Sequence, residues 1–222
     1  MKTLILTILT TINIVFSLHG QTADQIINKH LEVTGGLTAW KTFNSVILNG
    51  EIVLGKEESY KIKILQQRPN LNKTTMYIQD REIILNGYNG KKAIKFNFTT
   101  NQIEEDLEYI PESFDSDLLE YNSKGFQAIL IGTEKIGNSD CFKVKLIKNT
   151  NTITYFFDKN TYQLIRESNP QEIKTYSDFT KVSTLTFPMK TEVQIIGDNS
   201  NFTLVIDKVQ VNPVISPKEF NF

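Results

Sequence analysis

The stretch Ser45–Asn70, SVILNGEIVLGKEESYKIKILQQRPN, decides the fold. Apolar and polar side chains alternate in it with a period of two, which is typical of strands with one buried face. Gly55 interrupts the alternation, so the stretch predicts two strands, Val46–Leu54 and Ser59–Gln66. The connection between them is too short for a crossover helix, and the two strands are therefore expected to be antiparallel.

The same alternation continues along most of the chain, separated by short turn signals such as Asn89-Gly90 and Gly137-Asn138. Further strands are predicted at Lys73–Gln79, Glu82–Tyr88, Lys91–Phe98, Phe126–Thr133, Cys141–Ile147, Asn151–Phe157, Tyr162–Glu167, Ile173–Asp178, Met189–Ile196 and Phe202–Val211. About twelve strands with no linker or repeat indicate an α+β fold built on a large, curved antiparallel sheet.

The N-terminal region carries a different pattern. Residues 1–20 have one lysine, an apolar run of thirteen residues and a cleavage-like end at Gly20, which together predict a signal peptide. Thr22 and Gln25 have capping-box spacing and predict a helix that stops at Gly35-Gly36. A short helical turn over Leu37–Phe43 should follow it. Residues 21–222 are then expected to form a single domain, exported to a bacterial periplasm, with no cysteine placed for a lipid anchor.

Composition excludes several classes of protein. The 222 residues are 40% hydrophobic and carry a net charge of −1, so a disordered chain and a generic nucleic-acid binder are both disfavoured. The single cysteine, Cys141, excludes a disulfide framework within the chain and a cysteine-based zinc site.

Residues 101–123 contain eight acids and no basic residue. Ile103, Leu107 and Ile110 have helical spacing before Pro111, and Phe114, Leu118, Leu119 and Tyr121 continue the apolar pattern. We predict a broken amphipathic helix lying across the sheet. An ordinary crossover with a solvated acidic face is the alternative.

Groups for catalysis are scarce. His30 is the only histidine after residue 20, and it lies on the apolar face of the first helix, where packing explains it better than base chemistry. Cys141 lies in an alternating strand and is predicted to be a small buried hydrophobe. There is no phosphate loop, dinucleotide glycine pattern or metal-ligand spacing. We therefore predict that the protein is not an enzyme and needs no cofactor or metal, although a carboxylate pair for glycoside hydrolysis is not excluded by sequence.

The predicted strands carry more apolar side chains than a sheet with one buried and one solvent-exposed face requires. Runs such as Ile83-Ile84-Leu85 and Tyr155-Phe156-Phe157 place apolar groups on both faces. One face must therefore be covered, either by packed helices or by a ligand in an apolar cavity.

The segment Arg68-Pro69-Asn70-Leu71, followed by Ile83-Ile84-Leu85 and Asn89-Gly90, resembles the periplasmic lipoprotein-carrier superfamily typified by LolA and LolB. The helix start at Ala23, Phe187-Pro188 and the end from Asn212 to Phe220 agree with that resemblance. It implies an incomplete antiparallel β-barrel of eleven to twelve strands with an N-terminal helix and a helical lid over an apolar cavity.

The resemblance also implies a ligand-binding gate and lid. Arg68 matches the arginine that holds the lid of the carriers closed when they are empty. The lid and gate residues would be Arg68, Ile103, Leu107, Ile110, Phe114, Leu118 and Leu119.

The implied function is a soluble periplasmic carrier that binds lipoprotein acyl chains or another lipid for transfer towards the outer membrane. Its partners would be lipoprotein or lipid cargo and membrane-bound donor and acceptor proteins, with transient membrane contact, no nucleic acid and a monomeric state. A sensor or partner-binding module of the same fold, without transport, is the alternative. A transmembrane barrel is disfavoured because Pro213 and Pro217 interrupt the last segment.

Overall fold

The structure is a computed structural model that describes residues 21–55, 58–79, 81–149, 151–197 and 201–222. The predicted signal peptide over residues 1–20 lies outside the described residues. Within the described residues, two α-helices, α1 (Ala23–Val33) and α2 (Leu37–Thr42), precede thirteen strands.

The strands fall into two groups in chain order, on either side of residues 106–126. The first group is β1 (Ser45–Leu54), β2 (Glu58–Gln67), β3 (Leu71–Ile78), β4 (Arg81–Tyr88), β5 (Ala93–Asn97) and β6 (Gln102–Glu105). The second is β7 (Gln127–Ile136), β8 (Ser139–Lys148), β9 (Asn151–Asp158), β10 (Leu164–Ser168), β11 (Glu172–Val182), β12 (Leu185–Ile195) and β13 (Asn201–Val211). Short 3₁₀ turns occupy Tyr121–Lys124 and Pro217–Phe220.

All thirteen strands form one antiparallel, unclosed sheet in the order β6-β5-β4-β3-β2-β1-β13-β12-β11-β10-β9-β8-β7. The two groups join where β1 pairs with β13. Gly50 lies at a bulge in that seam, where an added Cβ would stand 2.0 Å from the carbonyl oxygen of Val205. The predicted large antiparallel sheet is thus confirmed, with β6 as one more strand than expected.

The sheet curves around the face that carries the helices. In a flat sheet, β4 and β8 would lie nine strand spacings apart, or about 43 Å. Tyr109 contacts Tyr88 of β4, yet Leu118, nine residues later, belongs to the same packed cluster as Val144 of β8. Nine residues span at most about 32 Å when extended. The two ends of the sheet must therefore approach each other, so this face is concave.

Helix α1 begins with the expected capping box. The backbone N–H of Gln25 donates to Thr22 Oγ1 at 3.2 Å, and the N–H of Thr22 donates to Gln25 Oε1 at 3.0 Å. Ile26 and Ile27 are fully buried in a cluster with Val144, Leu146 and other residues of β8 and β9. The first helix of the chain therefore packs against the second group of strands.

Two further clusters complete the part of the core near the seam. On the concave face, α2 and Phe43 pack with Val46, Leu185 and Val209. On the convex face, the C-terminal segment with Ile215 and Phe220 covers Leu65 of β2. Both faces of the sheet are therefore covered where the two groups of strands meet.

The prediction of a broken amphipathic helix over residues 103–121 is wrong. Residues 102–105 form strand β6, and residues 106–120, hereafter called the strap, contain no α-helix. In a helix, Glu104, Glu108 and Glu112 would be like-charged neighbours at four-residue spacing, and Pro111 would interrupt the hydrogen bonds. The strap instead bonds to the rest of the protein: the Asp106 N–H donates to Ala93 O and the Phe114 N–H to Pro69 O. The expected helical lid is an irregular segment.

Candidate functional site

The concave face carries a set of apolar side chains outside the helix-packed clusters. Opposite residues of an antiparallel pair share a face, so the register places these side chains together. Ile52 stands opposite Leu204, Ile62 opposite Met76, and Met76 opposite Ile83. With Val193 of β12 they form what we call the apolar stripe: Ile52, Ile62, Met76, Ile83, Val193 and Leu204. Three of them are buried, and Ile52, Ile83 and Leu204 are half-buried.

Arg68 follows β2 and fastens the strap at one end of the concave face. Its Nε donates to Phe43 O at 2.8 Å, and one terminal nitrogen donates to Trp40 O at 3.1 Å. The other terminal nitrogen forms an ion pair with Asp115 of the strap. The guanidinium also lies 5.5 Å from the ring centroid of Phe114. One arginine therefore ties the strap to the end of α2 and to the end of β2.

Further ion pairs hold residues 101–123, hereafter called the acidic region, to other elements. Besides Arg68–Asp115, the pairs are Lys92–Glu105 at 3.9 Å, Lys95–Asp106 at 2.9 Å, Lys148–Asp117 and Lys41–Glu120 at 2.6 Å. Five of the eight acids of this region are thus paired with basic residues from other elements. The region that has no base of its own is held by lysines on or beside β5, β8 and α2 and by the arginine that follows β2.

Aromatic contacts supplement these charges. The Tyr109 ring lies 5.2 Å from that of Tyr88, and Asn72 Nδ2 donates to the Tyr109 hydroxyl at 2.8 Å. Burial raises the pKa of Tyr109, so its hydroxyl stays protonated at neutral pH. At the other end, Phe114 packs 4.8 Å from Phe43. The strap therefore contacts β3 and β4 as well as the helix end.

A cleft of about 600 Å³ opens between the strap and strands β8 to β11. Its strap side includes Ile110 and Phe114, and its floor includes Ile153 and Tyr155. Charged side chains also line it: Glu112, Asp115, Asp117, Lys124, Lys148, Glu167, Glu172 and Lys174. This part of the concave face is amphipathic, in contrast to the apolar cavity that the resemblance implied.

The charges on the cleft floor are coupled to one another. Burial alone would lower the pKa of Lys174, but the carboxylates of Glu167 and Glu172, at 3.4 Å and 2.5 Å from its Nζ, outweigh that effect and raise it. Burial lowers the pKa of Lys124, whose ammonium donates to Ser116 O at 2.7 Å. Burial raises the pKa of Tyr155. The floor therefore presents the neutral hydroxyl of Tyr155 and the ammonium of Lys174, paired with Glu167 and Glu172, next to Val193 of the apolar stripe.

The structure separates the residues predicted for the gate and lid. It brings Arg68 and Phe114 together, and it places Leu118 and Leu119 in the packed core with α1. Ile103, Leu107 and Ile110 are exposed, by 48%, 86% and 79% of their surface. The role of all seven in ligand binding remains a prediction.

The surroundings of His30 and Cys141 are typical of residues with a structural role. His30 Nδ1 lies 2.9 Å from Tyr162 O, and burial lowers its pKa to about 4. Cys141 is fully buried, and burial raises the pKa of its thiol to about 11.

Across the described ranges, no group of three or more histidine, cysteine or acidic side chains is placed to hold a metal ion. Nor does the described part of the chain contain a helix long and apolar enough to cross a bilayer.

Sequence reasoning did not identify the partners of the acidic region. The absence of any base between residues 101 and 123 indicates that its partners must come from elsewhere, but not which ones. Lys148 lies 31 residues from Asp117, and Arg68 lies 47 residues from Asp115. Such pairs are set by the path of the chain across the concave face.

Comparison with solved structures identifies the fold of this chain. The chain matches no protein-family model, and no curated protein is significantly similar to it in sequence. Among solved structures, a LolA superfamily protein from Nitrosomonas europaea aligns over 91% of this chain and 99% of its own, with 11% identity and a TM-score of 0.60.

Two other solved structures align almost as well. A domain assigned to outer membrane lipoprotein sorting from Vibrio parahaemolyticus covers 90% of this chain and 96% of its own, with 11% identity and a TM-score of 0.56. A DUF1329 family protein from Desulfovibrio piger covers 90% and 97%, with 9% identity and a TM-score of 0.55. The chain therefore has the fold of LolA superfamily proteins, an unclosed antiparallel sheet curved around a concave face.

Proposed function

We propose that this protein binds the acyl chains of a lipoprotein or another lipid on its concave face and carries them between membranes. The observation that supports this most is the apolar stripe. It lies on the concave side of an unclosed sheet, outside the clusters formed with α1 and α2, with half-buried side chains at Ile52, Ile83 and Leu204. An apolar surface that the protein's own helices do not cover favours an apolar ligand.

The free energy of acyl-chain burial explains why a carrier would have a strap that is bonded when the protein is empty. Burial of one methylene group contributes about 0.8 kcal/mol, so a sixteen-carbon chain contributes on the order of 12 kcal/mol before costs. A carrier that kept all of this free energy could not release its cargo. Opening of a strap that is bonded in the empty protein would oppose binding and bring the net affinity into a reversible range.

Arg68 and Asp115 would form the main latch of the strap. Both side chains are about one quarter exposed, so their ion pair is less screened than one on the open surface. Arg68 also holds two backbone carbonyls at the end of α2, which gives the latch a fixed base. Ile110 and Leu107, exposed on the strap, could turn towards the acyl chain once the latch opens.

We place this activity in the periplasm. Residues 1–20 have the pattern of a signal peptide, and a structural neighbour from Vibrio parahaemolyticus is assigned to outer membrane lipoprotein sorting. A carrier of this kind would act as a monomer, without cofactor or catalysis, and would meet a membrane-bound donor and acceptor in turn. It would touch a membrane only transiently.

The test is to isolate the exported protein from its cell envelope and analyse it by native mass spectrometry, followed by solvent extraction. An added mass that extracts as an acyl-bearing molecule is the expected result. In parallel, the purified protein is titrated with a fluorescent sixteen-carbon fatty acid. Ile52→Glu, on the apolar stripe, should reduce binding at least tenfold. Ile129→Glu, at an exposed position on the convex face of β7, is the matched control and should leave binding unchanged.

Other outcomes decide against the proposal. If the protein emerges empty, takes up no labelled acyl chain and accepts no lipoprotein, it is not a carrier. Recovery of a stable protein partner without lipid would favour the sensor or partner-binding module instead. Equal loss of binding in the Ile52 and Ile129 variants would show that the fatty acid binds outside the apolar stripe.

A further inference from the structure

The convex face carries a polar cleft of about 350 Å³ on the side of the sheet opposite the proposed lipid site. The pairing register of the strands explains why polar side chains line this cleft. Arg166 stands opposite Thr175, Thr175 opposite Glu192, and Glu192 opposite Thr203. Residues opposite one another across antiparallel pairs point to the same face, so these four side chains form one row over β10, β11, β12 and β13.

Apolar groups border this row. Val53 of β1 is opposite Thr203 and continues it, and Ile173 lies in the adjacent row with Gln194. The cleft therefore has a row of hydrogen-bonding side chains with aliphatic groups beside it. This arrangement suits a small polar group attached to an apolar or neutral body.

Arg166 is the cationic group of this cleft, and part of its hydrogen-bonding capacity is unused. Its Nε donates to Thr175 Oγ1 at 3.1 Å, which fixes the plane of the guanidinium. Among the described residues, neither terminal nitrogen has a protein hydrogen bond or ion pair. Glu192, the acid nearest in the row, pairs with Lys190 at 2.7 Å instead.

The other two arginines of the chain show why this is unusual. Arg68 is paired with Asp115 and caps backbone carbonyls, and Arg81 is exposed to water. Arg166 is half-buried, so part of its hydration is lost without an anionic partner to replace it. A guanidinium held by its Nε presents its two terminal nitrogens as a fork, which matches the oxygens of a carboxylate or a phosphate.

We infer that this convex cleft binds a compact oxyanion, a carboxylate or phosphate group, through the terminal nitrogens of Arg166, with Thr175 and Thr203 beside it. The side chains of the row point to the face of the sheet opposite the apolar stripe. Val193 and Phe202, which belong to the concave rows, also border the cleft. The anion could be a free small molecule or the phosphate of a lipid head group, since both present the same oxygens.

The test uses the purified full protein labelled with ¹⁵N. At constant ionic strength set by sodium chloride, it is titrated separately with acetate, inorganic phosphate and glycerol 3-phosphate. Saturable shifts are expected at the Arg166 Nε–Hε and at the amides of Thr175, Glu192 and Thr203 with at least one of these anions. Arg166→Gln should weaken that binding at least tenfold, and Arg81→Gln, the exposed control, should leave it within twofold of the unmodified protein.

The three anions distinguish the sources of the ligand. Preference for acetate identifies a carboxylate, preference for inorganic phosphate identifies free phosphate, and preference for glycerol 3-phosphate identifies a lipid-like head group. Shifts that grow linearly without saturation, or that persist in Arg166→Gln, overturn the inference. If Arg166→Gln fails to fold, Arg166→Lys serves in its place, because it keeps the charge and loses the fork; it should weaken binding at least threefold.

Discussion

Arg68 occupies a position where three parts of the chain meet. Its guanidinium joins the carbonyls of Phe43 and Trp40 to the carboxylate of Asp115. Removal of the arginine would leave these acceptors with fewer donors, whereas removal of the carboxylate charge would leave the arginine bonded to the carbonyls. The two halves of the latch should therefore differ in their effect on stability.

We expect Arg68→Gln to lower the free energy of unfolding by about 2–3 kcal/mol, because partly buried acceptors lose a charged donor. Asp115→Asn should cost about 1 kcal/mol. Urea denaturation followed by circular dichroism measures both. Lys29→Gln, which breaks a surface ion pair with Glu32, is the control and should cost less than about 0.5 kcal/mol. Equal effects at Arg68 and Lys29 would contradict the role of Arg68 as an anchor.

His30 gives the stability a pH dependence. Burial lowers its pKa from 6.5 to about 4, so the folded protein binds its proton less readily than the unfolded chain does. The stabilisation is fully present above pH 6.5 and is lost as pH falls from 6.5 towards 4. Between pH 7.5 and 5 the expected loss is about 2 kcal/mol.

The measurement is urea denaturation of the unmodified protein and of His30→Gln at pH 7.5, 6.5 and 5. Glutamine does not titrate, so the variant should be less stable at pH 7.5 but should lose about 2 kcal/mol less on acidification. Carboxylates begin to titrate below pH 5, which sets the lower limit of the comparison. Parallel pH profiles for the two proteins would show that His30 does not carry the dependence.

At the scale of elements, the strap is held by ion pairs as well as by packing. Four ion pairs connect the strap to other elements, and a fifth, Lys92–Glu105, lies in the adjacent strand β6. Most of their side chains are partly exposed. The Debye length falls from about 10 Å at 0.1 M salt to about 3 Å at 1 M, so such pairs weaken strongly. The strap should therefore loosen at high salt, while the hydrogen-bonded ladder of the sheet does not.

Hydrogen exchange measures this loosening. The Phe114 and Leu119 amides bond to Pro69 O and Ser116 O, and they should exchange about tenfold faster in 1 M sodium chloride than in 0.05 M. Amides of the β8–β9 ladder, such as that of Val144, serve as internal controls and should change less than twofold. Unchanged exchange in the strap would mean that its packing, and not its charge, holds it closed.

The strap also shows where sequence reasoning succeeds and where it stops. Alternation located β1, β2 and β4 to within one or two residues, because side-chain burial on one face imposes the period of two. Strand β6, with the sequence QIEE, has neither the length nor the β-branched content to be recognised. The apolar spacing of the acidic region suggested a helix, but repulsion between its acids and its long-range ion pairs determine its actual course.

The same distinction holds for the site. Arg68 could be identified through the resemblance, since its neighbours Pro69 and Asn70 carry the motif. Asp115 could not, because any of eight acids was available and only the path of the strap selects one. The polar row around Arg166 was also missed, since a row across a sheet joins residues that are distant in sequence and depends on the register of five strands.

For the whole molecule, the connections of the sheet determine how it unfolds. Strands β1 to β6 lie on one side of the β1–β13 seam and β7 to β13 on the other, yet α1, which precedes β1, packs against β8 and β9. The C-terminal segment after β13 crosses in the opposite direction and covers Leu65 of β2. Each side therefore depends on a segment that is covalently attached to the other.

We expect a single cooperative unfolding transition, which would support the prediction of one domain over residues 21–222. Trp40, the only tryptophan, reports on the seam: its ring lies 6.3 Å from that of Phe187, and its Nε1 donates to Thr34 Oγ1 at 3.1 Å. In urea, its fluorescence and far-ultraviolet circular dichroism should give the same midpoint. Val144→Ala, which removes packing beneath α1 and away from the seam, should lower both midpoints equally. Two separate midpoints, or a shift in only one signal, would mean that the two sides of the sheet unfold independently.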